Sequence, residues 1–161
     1  MARFFRLFGE QYLGFWSIGL LLFAIQEIPY MIMPILKPQP NPIMDLPEYC
    51  KLLAVAEGIL GSACIALMVF VVRDDVPLFS IGSESQKAFF FLACAALLLN
   101  FIGWGIYFAG TRTPAVMLAF IVAMPPLYYL FIGLWRGNTP LIVAAAVFLP
   151  VHFIHVSINL R

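Results

Sequence analysis

Five apolar runs, each long enough to cross a lipid bilayer, follow one another along this 161-residue chain. A spanning helix needs about 20 mostly apolar residues, and such windows fall at about 12–36, 49–72, 88–110, 114–135 and 139–160. Only 11% of the residues are charged, compared with about 25% in a soluble domain. The sequence therefore predicts an all-α, polytopic integral membrane bundle of five transmembrane helices, with four as the alternative, forming a single domain over 1–161.

The connections between the predicted spans are short. The first, residues 37–48, contains four prolines, which remove backbone donors and favour an extended path; we call it the strap. The last, Arg136-Gly137-Asn138, is a turn-forming triplet typical of an antiparallel hairpin. Ser83 or Ser85 can cap the start of the third helix. None of these connections is long enough to form a soluble domain.

The two ends of a five-span chain lie on opposite sides of the membrane. The N-terminal run lacks a small-residue cleavage site, so we expect it to stay as the first span rather than to act as a signal peptide. Basic residues number five on the N-terminal side and four on the other. This distribution favours a cytoplasmic N-terminus by a single charge.

Composition also limits the partners and cofactors. Nine basic and eight acidic residues are spread without a cluster, which argues against nucleic-acid binding. The three cysteines, Cys50, Cys64 and Cys94, form no CxxC pattern, so neither a disulfide framework nor a zinc site is indicated. We expect no metal and no cofactor, and we expect membrane lipids as partners.

Two carboxylates lie at membrane depth. At 1.5 Å per residue, Glu27 lies about 14 Å from Leu36 and Glu57 about 12 Å from Tyr49, at the two ends that the strap joins. Ionisable side chains inside a bilayer cost about 2.5–3.5 kcal/mol each on insertion scales and usually face a bundle interior or a wet cavity. We therefore predict a polar site in the strap-side half of the membrane.

The last span adds two histidines in the same half. His152 and His155 fall about 13 and 9 Å from the C-terminus and share one helix face. A carboxyl group held out of water and a histidine can act as general acid and base. The candidate catalytic residues are therefore Glu27, Glu57 and His152, with His155 as a ligand-binding candidate.

Further ligand-binding candidates come from the other spans. Asn100, Trp104 and Tyr107 follow much the same face of the third span, within about 16 Å of its strap-side end. Prolines would interrupt the first helix just past Glu27, near Tyr30, and the fourth helix beside Tyr128. Broken membrane helices are tolerated where they line protein or water, so these two tyrosines are also candidates.

One pattern in the second span concerns architecture rather than chemistry. Ala54, Gly58, Ser62 and Ala66 follow one another at i+4 spacing. Such a stripe of small residues is typical of close helix packing in membranes. We expect another helix to pack on it.

Three functional hypotheses fit these residues. In the first, the protein binds, and transforms or moves, a small hydrophobic ligand such as a lipid, isoprenoid or sterol-like molecule at the intramembrane pocket with paired carboxylates. In the second, it is a proton-coupled carrier that works as a homodimer. In the third, it is a non-catalytic subunit of a larger membrane complex, and its polar residues bond to partner helices. A structural interpretation of each polar residue, as a hydrogen-bonded core group or an interfacial side chain, also stays open.

Overall fold

The computed structural model describes residues 2–74 and 76–160. Within these residues, five helices are long and apolar enough to cross a membrane, with mean hydropathies of 1.7 to 2.2. They are Ser17–Leu36, Lys51–Phe70, Glu84–Phe108, Pro114–Arg136 and Thr139–Asn159. The predicted all-α bundle with five spans is confirmed.

The first span consists of two helices, α1 (Ser17–Gln26) and α2 (Ile28–Leu36), which meet at Glu27. Pro29 has no N–H to donate to the carbonyl of Ile25, so the hydrogen-bond ladder is interrupted at this point. Lys37, in a left-handed conformation (φ 43°), ends α2. The interruption therefore places Glu27 at a helix junction inside the span.

The second and third spans are single helices, α3 (Lys51–Phe70) and α4 (Glu84–Phe108). Ser83 caps α4, because its hydroxyl accepts a hydrogen bond from the backbone N–H of Gln86 at 3.1 Å. The Gln86 side chain accepts one from the Ser83 backbone N–H in return, which completes a capping box. Of the two serines predicted as caps, Ser83 has this role.

The fourth span changes helix type along its length. It begins with a short turn, α5 (Pro114–Val116), continues as a π-helical segment (Met117–Val122), and ends with α6 (Met124–Arg136). Pro125 and Pro126 cannot donate to the carbonyls of the preceding turn. The buried amide of Asn100 on α4 supplies the donor instead, at 3.0 Å from the carbonyl of Phe120 and 3.5 Å from that of Ile121. A polar side chain of one helix thus completes the hydrogen bonding of another.

The fifth span, α7 (Thr139–Asn159), returns antiparallel to α6 and packs against both α3 and α6. Asn138 caps its start, since its side-chain oxygen accepts from the backbone N–H of Leu141 at 3.1 Å. The amide nitrogen of the same side chain donates to the carbonyls of Leu67 and Val71. This one residue therefore ties the beginning of α7 to the end of α3.

A three-stranded antiparallel sheet lies at the end of the bundle opposite the strap. Its strands are β1 (Ala2–Phe8), β2 (Gln11–Phe15) and β3 (Val71–Arg73), in the order β1-β2-β3. The predicted first span started near Tyr12, but Tyr12 pairs with Val72 in the sheet and the helix begins at Ser17. Gly14 permits this close pairing, because a Cβ there would lie 2.3 Å from the carbonyl oxygen of Ala2.

The small-residue stripe of α3 is not its packing face. Gly58, Ser62 and Ala66 are exposed, and a Cβ on Gly58 would meet nothing within 4 Å. Gly61 instead faces α7, since its Cβ would lie 3.4 Å from the ring of Phe148. The expectation that another helix of this chain packs on the stripe is therefore wrong, because spacing alone does not say which face of a helix meets its neighbours.

Candidate functional site

Glu57 of α3 contacts two histidines of α7. Its Oε1 atom lies 2.9 Å from Nδ1 of His152, and its Oε2 atom contacts Nδ1 of His155. The three side chains are 23%, 14% and 11% exposed, respectively. The structure thus brings together three side chains that the sequence placed in the same half of the membrane.

The packing of α3 on α7 positions this cluster. His152 and His155 are three residues apart, so both rings project from one face of α7. The ring of Phe148, one turn before His152, stacks on the imidazole with centroids 5.1 Å apart. At the other end, Asn159 donates to the carbonyl of His155 and accepts from the backbone N–H of Tyr49, which ties the end of α7 to the start of α3.

A cavity of about 150 Å³, here called the inner cavity, lies beside this cluster. Gly61 and Ile65 on its wall are one and two turns farther from the strap than Glu57. Gln26 accepts a hydrogen bond of 2.6 Å from the hydroxyl of Tyr129. The full lining is Gln26, Glu27, Tyr30, Gly61, Ile65, Pro125, Tyr129, Phe148 and His152.

A second cavity of about 200 Å³, the outer cavity, lies under the strap. Ile43, Met44 and Leu46 of the strap form one side of it. The π-helical segment of the fourth span contributes to another side. The complete lining is Tyr30, Ile43, Met44, Leu46, Glu57, Ile121, Val122, His152 and Val156.

Tyr30 and His152 line both cavities, and each cavity has one carboxylate, Glu27 in the inner and Glu57 in the outer. The two carboxylates differ in their partners. Both oxygens of Glu57 face imidazoles, whereas the side chain of Glu27 has no hydrogen bond or ion pair with any residue in the described ranges. The paired cavities therefore contain one satisfied carboxylate and one without a protein partner.

Five of the six ligand-binding candidates lie outside both linings, and Tyr30 is the exception. His155 contacts Glu57 without lining either cavity. Asn100 serves the π-helical segment, and the hydroxyl of Tyr128 donates to a backbone carbonyl of α1 at 3.1 Å. Trp104 is buried and packs edge-to-face on Tyr30 with ring centroids 4.9 Å apart. Tyr107 is also buried and donates to the strap. Their role in ligand binding stays a prediction, while their described contacts are structural.

Tyr107 anchors the strap over the outer cavity. Its hydroxyl donates to the side chain of Asn41 at 2.6 Å. Arg112, just past the end of α4, donates to the carbonyl of Gln39 at 2.7 Å and to that of Tyr107 at 3.2 Å. The end of α4 thus determines where the strap lies, and so helps to shape the cavity beneath it.

Sequence reasoning missed several lining residues. Gln26 and Tyr129 are 103 residues apart and form a buried hydrogen bond. The sequence features that could have indicated these two residues were an amide beside Glu27 and a tyrosine close to the Pro125-Pro126 pair. The strap residues Ile43 and Met44 carried no signal, because an apolar residue in a proline-rich loop has no pattern that reveals what it covers.

The Glu57 cluster has a defined hydrogen-bonding capacity. A carboxylate only accepts hydrogen bonds, so His155 donates from Nδ1 in its hydrogen bond with Glu57. Nδ1 of His152 lies 2.9 Å from Oε1 of Glu57 without the geometry of a hydrogen bond. His152 lines both cavities, and a neutral imidazole has one nitrogen that can accept a hydrogen bond from a ligand. The two Nδ1 atoms face separate oxygens, and among the described residues no group of His, Cys, Asp and Glu is arranged to hold a metal ion.

Comparisons with models of known protein families, with curated proteins and with solved structures find no match for this chain.

Proposed function

We propose that this protein binds a small hydrophobic molecule inside the membrane and holds its polar end between the two cavities. The observation that supports the proposal is the pair of cavities that share Tyr30 and His152 at the level of Glu27 and Glu57. Binding sites for small molecules are typically concave and apolar, with a few convergent polar groups. Both linings have this composition.

The cavity sizes limit the ligand. An apolar cavity of about 150 Å³ can hold a molecule of the size of benzene. The inner cavity of about 150 Å³ and the outer cavity of about 200 Å³ are therefore each suited to a ring or a short chain. The ligand in this proposal is a small molecule, or one end of a longer lipid or isoprenoid whose remainder lies in the bilayer.

The contact between Glu57 and His152 favours one elaboration, general acid–base catalysis. A carboxylate that accepts from Nδ1 fixes the tautomer and orientation of an imidazole, and its Nε2 can then take a proton from a bound molecule. In this elaboration, His152 is the proton-transfer group and Glu57 positions it. A ligand hydroxyl in hydrogen-bonding reach of His152 would be the reacting group.

Mass spectrometry of molecules that copurify with the protein tests the binding proposal. The informative variant is Gly61→Leu, because a Cβ at Gly61 already lies 3.4 Å from the Phe148 ring and a longer side chain must occupy the inner cavity. Gly58→Leu is the matched control, since a Cβ there meets nothing within 4 Å. Thermal unfolding of each variant establishes that it is folded.

We expect the wild type and Gly58→Leu to retain the same small molecule at a fixed ratio to protein, and Gly61→Leu to lose it. Glu57→Gln should retain less of it, because the imidazoles that hold the polar end lose their charged partner. The proposal fails if all of these proteins carry the same unselected bilayer lipids. It also fails if the protein is stable only with other polypeptides, which would make it a subunit of a complex.

A further inference from the structure

The two cavities are lined by carboxylates and a histidine. Glu27 and Glu57 supply two carboxyl groups. Across residues 2–74 and 76–160, no Lys or Arg lines either cavity. The buried Arg136 lies at the opposite end of the bundle, where its guanidinium stacks over the ring of Trp16 at 4.7 Å. The basic side chains at this level are the two histidines, and both face Glu57, so neither balances Glu27.

Among the described residues, no hydrogen bond in the inner cavity involves the side chain of Glu27. The hydroxyl of Tyr129, which lies on the same cavity wall, donates to Gln26 rather than to Glu27. The imidazole of His152 turns its Nδ1 toward Glu57. Since a carboxylate at membrane depth is strongly disfavoured unless it is paired or hydrated, a ligand that carries a donor or a positive charge would satisfy Glu27.

The remaining walls suit a cation. Three aromatic rings, those of Tyr30, Tyr129 and Phe148, line the inner cavity together with Glu27. Aromatic faces attract cations through the ring quadrupole, and this attraction strengthens when the cation leaves water. A cavity lined by a carboxylate and aromatic rings is therefore complementary to an ammonium group that has an apolar body.

We propose that the polar end of the ligand is a protonated amine that pairs with Glu27 among these rings, so that the site selects lipophilic amines over neutral alcohols and over lipids that end in a carboxylate or phosphate. This inference rests on the proposed function, because it specifies the ligand class of the same cavities. An anionic end would face Glu27 and Glu57 with no Lys or Arg in either lining, which accounts for the selection against acids.

Three probes with one alkyl chain test the inference: decylamine, decanol and decanoate. Each is titrated at pH 7 into the full-length protein in detergent micelles, and binding is measured by native mass spectrometry. An alkylamine is protonated at this pH. The proteins are the wild type, Glu27→Gln, and the control Glu48→Gln, which removes an exposed carboxylate of the strap. Because partition into the micelle is the same for every variant, ratios between proteins report the site.

We expect decylamine to bind the wild type at least about tenfold more tightly than decanol, and decanoate to bind most weakly, as a charge pair in a partly buried site requires. Glu27→Gln should lose at least about tenfold for decylamine and little for decanol, and Glu48→Gln should resemble the wild type. Equal affinity of the amine and the alcohol in wild type and Glu27→Gln would overturn the inference and leave the binding proposal intact. If no probe binds in a way that Gly61→Leu abolishes, both fail.

Discussion

Replacing Asn100 with leucine should destabilise the bundle through the fourth span rather than through the cavities. The amide of Asn100 donates to the Phe120 carbonyl at 3.0 Å and to the Ile121 carbonyl at 3.5 Å. In the i→i−5 pattern of the π-helical segment, Pro125 and Pro126 occupy the positions that would donate to these carbonyls, and neither has an N–H. Leucine has a similar volume but no donor, so Asn100→Leu leaves the carbonyls buried and unsatisfied.

The magnitude follows from the two distances. The bond at 3.0 Å has full hydrogen-bond geometry, whereas one at 3.5 Å is weak. An unsatisfied buried carbonyl costs about 1–3 kcal/mol, while measured side-chain hydrogen bonds between membrane helices average about 0.6 kcal/mol and reach about 1.7. We therefore expect Asn100→Leu to lower the free energy of unfolding by about 1–2 kcal/mol.

A double-mutant cycle with Pro125→Ala tests the assigned cause. Alanine at position 125 restores a backbone N–H that, in the i→i−5 pattern of the π-helical segment, can donate to the carbonyl of Phe120, which accepts the shorter bond from Asn100. The cost of Asn100→Leu should then fall by about half, a coupling within the range seen for residues that share a partner. Unfolding by SDS in detergent micelles, followed by circular dichroism, measures all four proteins. A cost that is the same in both backgrounds would refute the reasoning.

Three further predictions concern the packing around the site. Gly103→Ala should lower the melting temperature, because its Cβ would lie 2.4 Å from a side-chain atom of the π-helical segment and overpacking costs about 1–3 kcal/mol. The control Gly105→Ala, whose Cβ meets nothing within 4 Å, should raise the melting temperature by helix propensity. Equal melting temperatures of the two variants would contradict the contact at Gly103. Tyr107→Phe should speed amide hydrogen exchange in the strap, because the 2.6 Å bond to Asn41 is lost; unchanged exchange would mean that other contacts hold the strap. Asn138→Ala should lower the free energy of unfolding by about 2 kcal/mol or more, because the helix cap of α7 and two hydrogen bonds to carbonyls at the end of α3 are lost together. Chemical unfolding measures this free energy. A decrease below about 0.5 kcal/mol would show that water or neighbouring groups replace the side chain.

The membrane class and the five spans could be predicted from hydropathy, because a helix that crosses a bilayer needs an apolar run of set length whatever its neighbours are. The start of the first span could not be predicted in this way. Residues 12–15 are as apolar as a helix start, yet they belong to β2, which pairs with Ala2–Phe8 on one side and with Val71–Arg73 on the other. A pattern typical of a β-hairpin was present in the sequence, since two segments that contain aromatic residues flank the two-residue connection Gly9-Glu10.

The sequence predicted how deep the candidate residues lie in the membrane, but not which of them contact one another. Counting residues along each helix placed Glu57, His152 and His155 in the strap-side half, because the rise per residue of a helix is fixed. The same counting included Asn100, whose amide turns toward the π-helical segment instead. Depth is a property of one helix, whereas the direction in which a side chain points depends on how that helix is rotated against its neighbours.

The sequence by itself determined that this chain has five membrane-spanning segments and that its ionisable groups at membrane depth lie in the strap-side half, since both properties follow from the spacing of residues along single helices. Only the tertiary structure decided that Glu57 meets two histidines, that Glu27 has no protein partner among the described residues, and that the two cavities share Tyr30 and His152 in their linings. The physical reason is that helix rotation and packing depend on shape complementarity across the whole bundle, and neither hydropathy nor spacing encodes it.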